Sequence, residues 1–169
     1  MIRLTRYLKP GQVKLELDTT TPGEAPEGWS RERFVWSVKE RVLGELLALF
    51  DASGKVGNAT KLRTDLENRE RKATTGIGGG IAIPHVRTMQ AKEFTICFAR
   101  STPGVEFGAV DGQPVHLFFG VVAPPYDDKL YLEVYKTIGE LLSEESTRDA
   151  LMMSKDEHEV IKVVSGLGG

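Results

Sequence analysis

The chain has 169 residues, of which 40% are hydrophobic and 27% are charged, with a formal net charge of −2. This composition is typical of a globular domain with a hydrophobic core, and we expect one domain over residues 1–169. The slightly acidic balance does not favour nucleic acid as a partner, because phosphate contacts need a basic surface. The single cysteine excludes an intrachain disulfide.

Membrane insertion and secretion are not expected either. No apolar run approaches the ~18 residues of a membrane-spanning helix. Residues 1–8 lack the uninterrupted apolar core of a secretion signal. These features predict a cytoplasmic location.

The first predicted elements are a strand and a loop. Apolar and polar residues alternate over residues 12–17, which is the period of a strand with one buried face. Residues 18–28 are rich in Thr, Pro, Gly and Glu and predict a surface loop, to which no role is assigned.

Two helices are predicted next. Ser30 is a candidate N-cap, and apolar residues then recur every three or four positions until Ser53 and Gly54. Asn58 is the candidate N-cap of a second helix that ends at about Arg69. Residues 65–72 mix both charge signs, which is typical of a solvated helix face, and we expect no functional role for them.

The most unusual stretch runs from residue 73 to residue 88. Four of the five residues 76–80 are glycine, so the backbone can adopt positive φ and expose N–H groups, as an anion-binding loop requires. Residues 81–83 read as a short buried strand, and Pro84 ends its ladder pairing just before His85. We therefore expect the imidazole to lie at a strand end.

Further strands and helices follow. Residues 94–99 and 115–122 are predicted strands, and an apolar stripe after the break at residues 123–129 predicts a helix. The order of elements favours an α/β fold, a three-layer α/β/α arrangement in which a central mixed sheet of about five strands is flanked by helices. A site is then expected in loops at strand ends.

The glycine run does not match a nucleotide-binding motif. It lacks the Gly-Lys-Ser/Thr end of a P-loop, and Ile81 stands where the third glycine of G-x-G-x-x-G would be. A histidine with an ordinary pKa near ~6.5 is mostly neutral in cells and can accept a phosphoryl group. Exposed glycine N–H groups, the hydroxyls of Thr74 or Thr75 and the side chain of Arg87 are suitable groups to stabilise that phosphoryl group.

At residues 75–85 the sequence resembles the active-site signature of the fructose/mannitol-type enzyme IIA of the bacterial phosphoenolpyruvate-dependent phosphotransferase system, a group that includes the nitrogen-regulatory enzyme IIA. The resemblance extends to residues 111–115, 118–124 and 138–142 and covers about residues 30–165.

The resemblance implies that His85 is phosphorylated by a histidine-containing phosphocarrier protein. The group is then passed to a sugar-permease domain or serves as a regulatory signal, without a cofactor or a metal. In this carrier hypothesis, Arg87 and five neighbouring residues hold the phosphate. These five residues are Thr74, Thr75, Gly78, Gly79 and Gly80.

One family feature differs in this chain. The family has a second active-site histidine at the start of the helix after the Ala-Pro turn. Counting back from residues 141–142 places Tyr131 there, and an offset of one residue places Leu130. A tyrosine hydroxyl can donate a hydrogen bond, but it cannot carry the charge of a protonated imidazole. Val86 also stands where the family usually has glycine or alanine.

The remaining candidate residues are expected to be structural. His116 and Cys97 lie in predicted strands, and His158 lies in a charged helix start. Their scattered positions do not predict a zinc site.

Two functions remain open. The first is a phosphoryl carrier that uses His85 and is a transfer component more than a turnover enzyme. The second is a binding module of the same fold that regulates partner proteins by docking, with weak or lost phosphorylation. The missing second histidine favours regulation over bulk sugar transport.

Overall fold

Two long neighbouring strands, β5 (Thr95–Val105) and β6 (Val115–Ala123), form the centre of the sheet in the computed structural model, which describes residues 2–166. They are antiparallel, with Ile96 opposite Val121 and Phe98 opposite Phe119. Nearly every side chain of β6 is buried, as its apolar sequence predicts. Residue 1 and residues 167–169 of the predicted domain lie outside the described residues.

Four shorter strands complete the sheet. They are β1 (Val13–Lys14), β2 (Gly76–Gly78), β3 (Ile81–Ala82) and β4 (His85–Arg87). The strand order is β1-β5-β6-β3-β2, and β4 also pairs with β6. Strands β3 and β4 both run parallel to β6, whereas β2 is antiparallel to β3. The sheet is therefore mixed, as predicted.

Five α-helices lie within the described residues. They are α1 (Arg31–Ala52), α2 (Ala59–Lys72), α3 (Asp128–Ser143), α4 (Glu145–Met153) and α5 (Glu157–Val164). In residues 2–166 no helix has both the length and the apolar composition needed to cross a membrane.

Alternating side chains of β5 divide the core into two halves. Cys97 and Ala99 face one cluster, which contains the apolar side chains of α1 and α2. Ile96 and Phe98 face the other cluster, which contains those of α3, α4 and α5. The molecule is thus the expected three-layer α/β/α structure, with six strands in place of about five because Pro84 divides residues 81–87 into two short strands.

Both predicted N-caps are confirmed. The Ser30 hydroxyl accepts a hydrogen bond from the backbone N–H of Arg33, and the Asn58 side chain accepts one from Lys61. The first strand is shorter than predicted. Its end is followed by a bend in which the backbone N–H groups of Asp18 and Thr19 donate to the Glu45 carboxylate.

The break in strand pairing at Pro84 determines where His85 lies in the sheet. The Pro84 carbonyl accepts a hydrogen bond from Val121 of β6 at 2.9 Å, and His85 then resumes the parallel pairing opposite Val121. Because β4 and β6 are parallel, their carboxyl ends meet at one edge of the sheet, where α3 begins. The imidazole therefore lies at this edge, as the sequence predicts.

We expect Gly120→Ala to destabilise the fold by about 1–3 kcal/mol, because overpacking a filled core has this cost. A Cβ atom at Gly120 would lie 2.6 Å from Sγ of Cys97 and 2.7 Å from Cζ of Phe50. The matched control is Gly139→Ala in α3, where no atom lies within 4 Å and the better helix former should stabilise by up to about 1 kcal/mol. Urea denaturation measures both variants, and equal stability of the two would contradict this packing.

Candidate functional site

Both ring nitrogens of His85 have a polar neighbour. Nδ1 lies 2.5 Å from the carbonyl oxygen of Ile83, and Nε2 lies 3.4 Å from Nη2 of Arg69. A carbonyl can only accept, so Nδ1 carries the proton and donates it to Ile83. The lone pair is then on Nε2, which faces a guanidinium N–H group.

The environment keeps this imidazole neutral. Burial lowers the pKa of His85 from its usual value of 6.5, and the positive charge of Arg69 lowers it further. The hydrogen bond to the Ile83 carbonyl and the charge of Glu70 act in the opposite direction, but the net pKa shift is downward. At neutral pH the Nε2 lone pair is therefore available as a nucleophile.

His85 lines an open cleft of about 720 Å³. Arg69 and Lys72 reach the cleft from the end of α2, and Arg87 reaches it from β4. A carboxylate in the lining, Asp65, accepts a hydrogen bond from the Thr88 hydroxyl at 2.5 Å. Three cations around one histidine make the cleft suitable for a negatively charged group.

Arg87 is held at the mouth of the cleft by two contacts. Its guanidinium forms an ion pair with Asp128 in the first turn of α3. The same group lies 5.3 Å from the centroid of the Tyr131 ring, within the range of a cation–π contact. The predicted site residues His85, Arg87 and Tyr131 are thus brought together.

Two tyrosines of α3 face the imidazole. The Tyr131 ring centroid lies 5.8 Å from that of His85, and the Tyr135 ring makes an edge contact at 5.0 Å. Burial raises the pKa of Tyr131 to about 12, so its hydroxyl stays protonated and able to donate a hydrogen bond. From the sequence, Tyr135 was predicted only as part of the apolar face of α3.

The glycine run lies elsewhere. Gly78, Gly79 and Gly80 have positive φ values and form the turn of the hairpin between β2 and β3. The backbone N–H of Gly79 donates to the Asp111 carboxylate at 3.0 Å, and both Gly79 and Gly80 line a different cavity. Residues 81–84 separate this turn from His85, so the structure does not bring the three glycines to the imidazole.

The two threonines also have structural partners. The hydroxyl of Thr75 is buried and donates to Glu70 at 2.6 Å, and its backbone N–H donates to the same carboxylate at 3.0 Å. The hydroxyl of Thr74 accepts hydrogen bonds from Lys39 and from the backbone N–H of Gly76. Neither threonine is among the residues that line the cleft of His85.

Arg69 is the residue whose position the sequence did not reveal. It belongs to the mixed-charge segment 65–72, for which no functional role was predicted, yet its guanidinium contacts Nε2 of His85. The available signal was its place in the last turn of the helix that leads directly into the glycine segment. There a long cation can turn back over the following residues, as Arg69 does when it donates to the Ala73 carbonyl at 2.9 Å.

The other candidate residues lie outside the cleft. Nδ1 of His116 lies 3.0 Å from the carbonyl oxygen of Ser101, and His158 lies in α5. Cys97 is fully buried, and burial raises the pKa of its thiol well above the usual value.

Comparison with known proteins identifies the family. Residues 33–166 match the family described as "Phosphoenolpyruvate-dependent sugar phosphotransferase system, EIIA 2". The chain is 35% identical over 127 residues to the fructose-specific EIIABC component of Bacillus subtilis, a match that covers 75% of this chain but only 20% of that protein.

Two further similarities cover most of both chains. The chain is 32% identical over 129 residues to the fructose-specific EIIA component of Haloferax volcanii, covering 76% of this chain and 84% of that protein. The crystal structure of the nitrogen regulatory protein IIA-Ntr from Neisseria meningitidis superposes with a TM-score of 0.80 at 26% identity, covering 95% and 98% of the two chains. With its family match over residues 33–166, this chain belongs to the EIIA 2 family of the phosphoenolpyruvate-dependent sugar phosphotransferase system.

Proposed function

We propose that Nε2 of His85 accepts a phosphoryl group from a histidine-containing phosphocarrier protein and that the chain then passes this group on. The observation that carries the proposal is the pair of contacts to the imidazole. Nδ1 donates to the Ile83 carbonyl, and the unprotonated Nε2 faces Arg69 in a cleft that His85 lines together with Arg69 and Arg87. Family membership supports the same assignment.

The transfer step needs no other reactant. The Nε2 lone pair forms a bond to phosphorus while the P–N bond of the donor phosphohistidine breaks, and that bonding pair returns to the donor ring. The proton on Nδ1 of His85 stays in place and keeps its hydrogen bond to the Ile83 carbonyl. The donor ring also keeps the proton on its other nitrogen. The positive charge of the phosphorylated ring is stabilised by the Ile83 carbonyl.

The cations supply electrostatic stabilisation. Arg69, Arg87 and Lys72 line the same cleft as His85, so their positive charges can stabilise the phosphoryl oxygens. The protonated Tyr131 hydroxyl can donate to one of these oxygens. We propose that Thr74 and Thr75 support the site structurally and do not contact the phosphate. We propose no phosphate contact for residues 78–80 either.

The names of two relatives support two kinds of protein as the onward acceptor of the phosphoryl group. The Bacillus subtilis relative is named as an EIIABC component and the Neisseria meningitidis neighbour as a nitrogen regulatory protein. We therefore propose either a permease domain or a regulatory target as the downstream partner. We propose that the chain acts as one domain and needs no cofactor. As a carrier, it returns to its starting state when the phosphoryl group leaves.

A second function is favoured by one observation. The two histidines other than His85 lie outside its cleft, so tyrosines, not a second imidazole, face the acceptor. Regulation of partner proteins by docking, with slow phosphorylation, is consistent with this arrangement.

We expect wild-type protein to gain one acid-labile phosphoryl group when it is incubated with phosphoenolpyruvate, enzyme I and the phosphocarrier protein, and His85→Ala to gain none. Intact-mass spectrometry measures the change. His116→Ala is the matched control and should load like wild type. An unmodified wild type would contradict the carrier function and leave docking as the better account.

We expect Tyr131→His to load roughly 5- to 10-fold faster, because a protonated imidazole adds positive charge to the hydrogen bond that the tyrosine hydroxyl can donate, and a charged hydrogen bond is stronger than a neutral one by about 1 kcal/mol. Rapid-quench measurement of phosphorylated protein gives the rate. Leu130→His serves as the control for the alternative alignment. An unchanged rate in Tyr131→His would show that the position does not act on the phosphoryl group.

We expect His85 to titrate below pH 6.5, chiefly because it is buried, and Arg69→Gln to raise this midpoint because a nearby positive charge is lost. Since the neutral ring is the nucleophile, loading should persist below pH 6.5. The folded state should lose stability as pH falls from 6.5 towards the lowered pKa, where only the unfolded chain takes up the proton. Imidazole NMR titration tests this, and a midpoint above 6.5 would contradict it.

A further inference from the structure

A buried ion pair lies behind the cleft. Nζ of Lys39 in α1 is 2.6 Å from Oε1 of Glu70 in α2, and the two side chains are 8% and 1% exposed. Lys39 also donates to Thr74 at 3.2 Å and lies 4.9 Å from the centroid of the Phe107 ring. Both side chains are therefore largely buried, and they line a separate cavity, not the cleft of His85.

Stability alone does not account for such a pair. Removing two charges from water costs several kcal/mol for each ion, and well-packed apolar residues often stabilise an interior equally well. What apolar residues cannot do is fix backbone N–H groups and hydroxyls in one position. The contacts of Glu70 are of that kind, since both its oxygens accept from Thr75.

Two short chains of contacts lead from residues 73–75 to the imidazole. In the first, Thr75 is held by Glu70, its carbonyl accepts from the Ile83 backbone at 3.0 Å, and the Ile83 carbonyl accepts from Nδ1 of His85. In the second, the neighbouring Ala73 carbonyl accepts from Arg69, whose other terminal nitrogen faces Nε2. Both nitrogens of His85 thus depend on the placement of residues 73–75.

We propose that Lys39 and Glu70 are positioning residues for phosphoryl transfer. The pair fixes residues 73–75 and through them the tautomer of His85 and the direction of the Arg69 guanidinium. Lys39 also balances the Glu70 charge, which would otherwise repel the phosphoryl group arriving at His85. This inference rests on the proposed carrier function for its kinetic consequence, but its structural consequence can be measured without phosphorylation.

A matched control exists in the same chain. Glu45 accepts from Lys14 at 2.8 Å and from both the N–H and the hydroxyl of Thr19, so it repeats the contacts of Glu70 at a place that does not line the cleft. We compare Glu70→Ala with Glu45→Ala, using thermal unfolding to establish that each is folded. Thr75→Val replaces Glu70→Ala if that variant does not fold.

The first measurement is the ¹⁵N spectrum of the imidazoles. We expect the Nδ1–H form of His85 to dominate in wild type and in Glu45→Ala, and a mixture of tautomers in Glu70→Ala. The second is loading by the phosphorylated phosphocarrier protein. The maximal rate in Glu70→Ala should fall by about 10- to 100-fold, because a misplacement of 1 Å costs about 100-fold, while the half-saturating donor concentration stays unchanged.

A second substitution distinguishes the effect of the Glu70 charge from an effect on folding. Lys39→Met should slow loading because it leaves the buried carboxylate unpaired. Adding Glu70→Gln should restore part of the rate, since the uncharged amide oxygen can still accept from the Thr75 backbone N–H while the amide NH2 donates to the Thr75 hydroxyl oxygen. A folded Glu70→Ala with wild-type tautomer and rate would overturn the proposal. If wild type is not phosphorylated, the carrier function fails and the tautomer comparison still decides the positioning role.

Discussion

The hydrogen bond from Nδ1 of His85 to the Ile83 carbonyl is the contact on which the account of this site depends. It selects the tautomer and turns the unprotonated Nε2 towards Arg69. In the function we propose, the same bond stabilises the phosphorylated ring. The bond exists because Pro84 interrupts the strand between Ile83 and the imidazole, while β3 and β4 continue to pair with the same neighbour. A local break in an otherwise regular edge of the sheet thus creates the nucleophile.

Burial and nearby charges together determine the properties of this ring. Burial lowers the pKa of His85 and favours the neutral ring, and Arg69 and Arg87 place positive charge in the same cleft, as the proposed phosphoryl group requires. Tyr131 and Tyr135 also contact the ring, and they provide aromatic side chains and hydroxyls in place of a second imidazole. The proposed phosphoryl site therefore has one imidazole that can change charge near neutral pH, whereas two histidines would give two.

Local sequence patterns predicted much of the fold. The caps at Ser30 and Asn58 depend on side chains that bond to their own helix, so they could be found without tertiary knowledge. The glycine run was different, because positive φ suits a hairpin turn and an anion-binding loop equally well, and pairing between β2 and β3 makes it a turn. Arg69 shares the last turn of α2 with Arg71 and Lys72, so its place there did not single it out. Its contact with His85 arises only when α2 packs beside β4.

The central claim is that Nε2, not Nδ1, carries the phosphoryl group. The most direct measurement is the ³¹P–¹⁵N coupling in uniformly ¹⁵N-labelled protein after incubation with phosphoenolpyruvate, enzyme I and the phosphocarrier protein. The account predicts that phosphorus couples to Nε2 of His85 while Nδ1 keeps its proton. Coupling to Nδ1, to another side chain, or to none would contradict it.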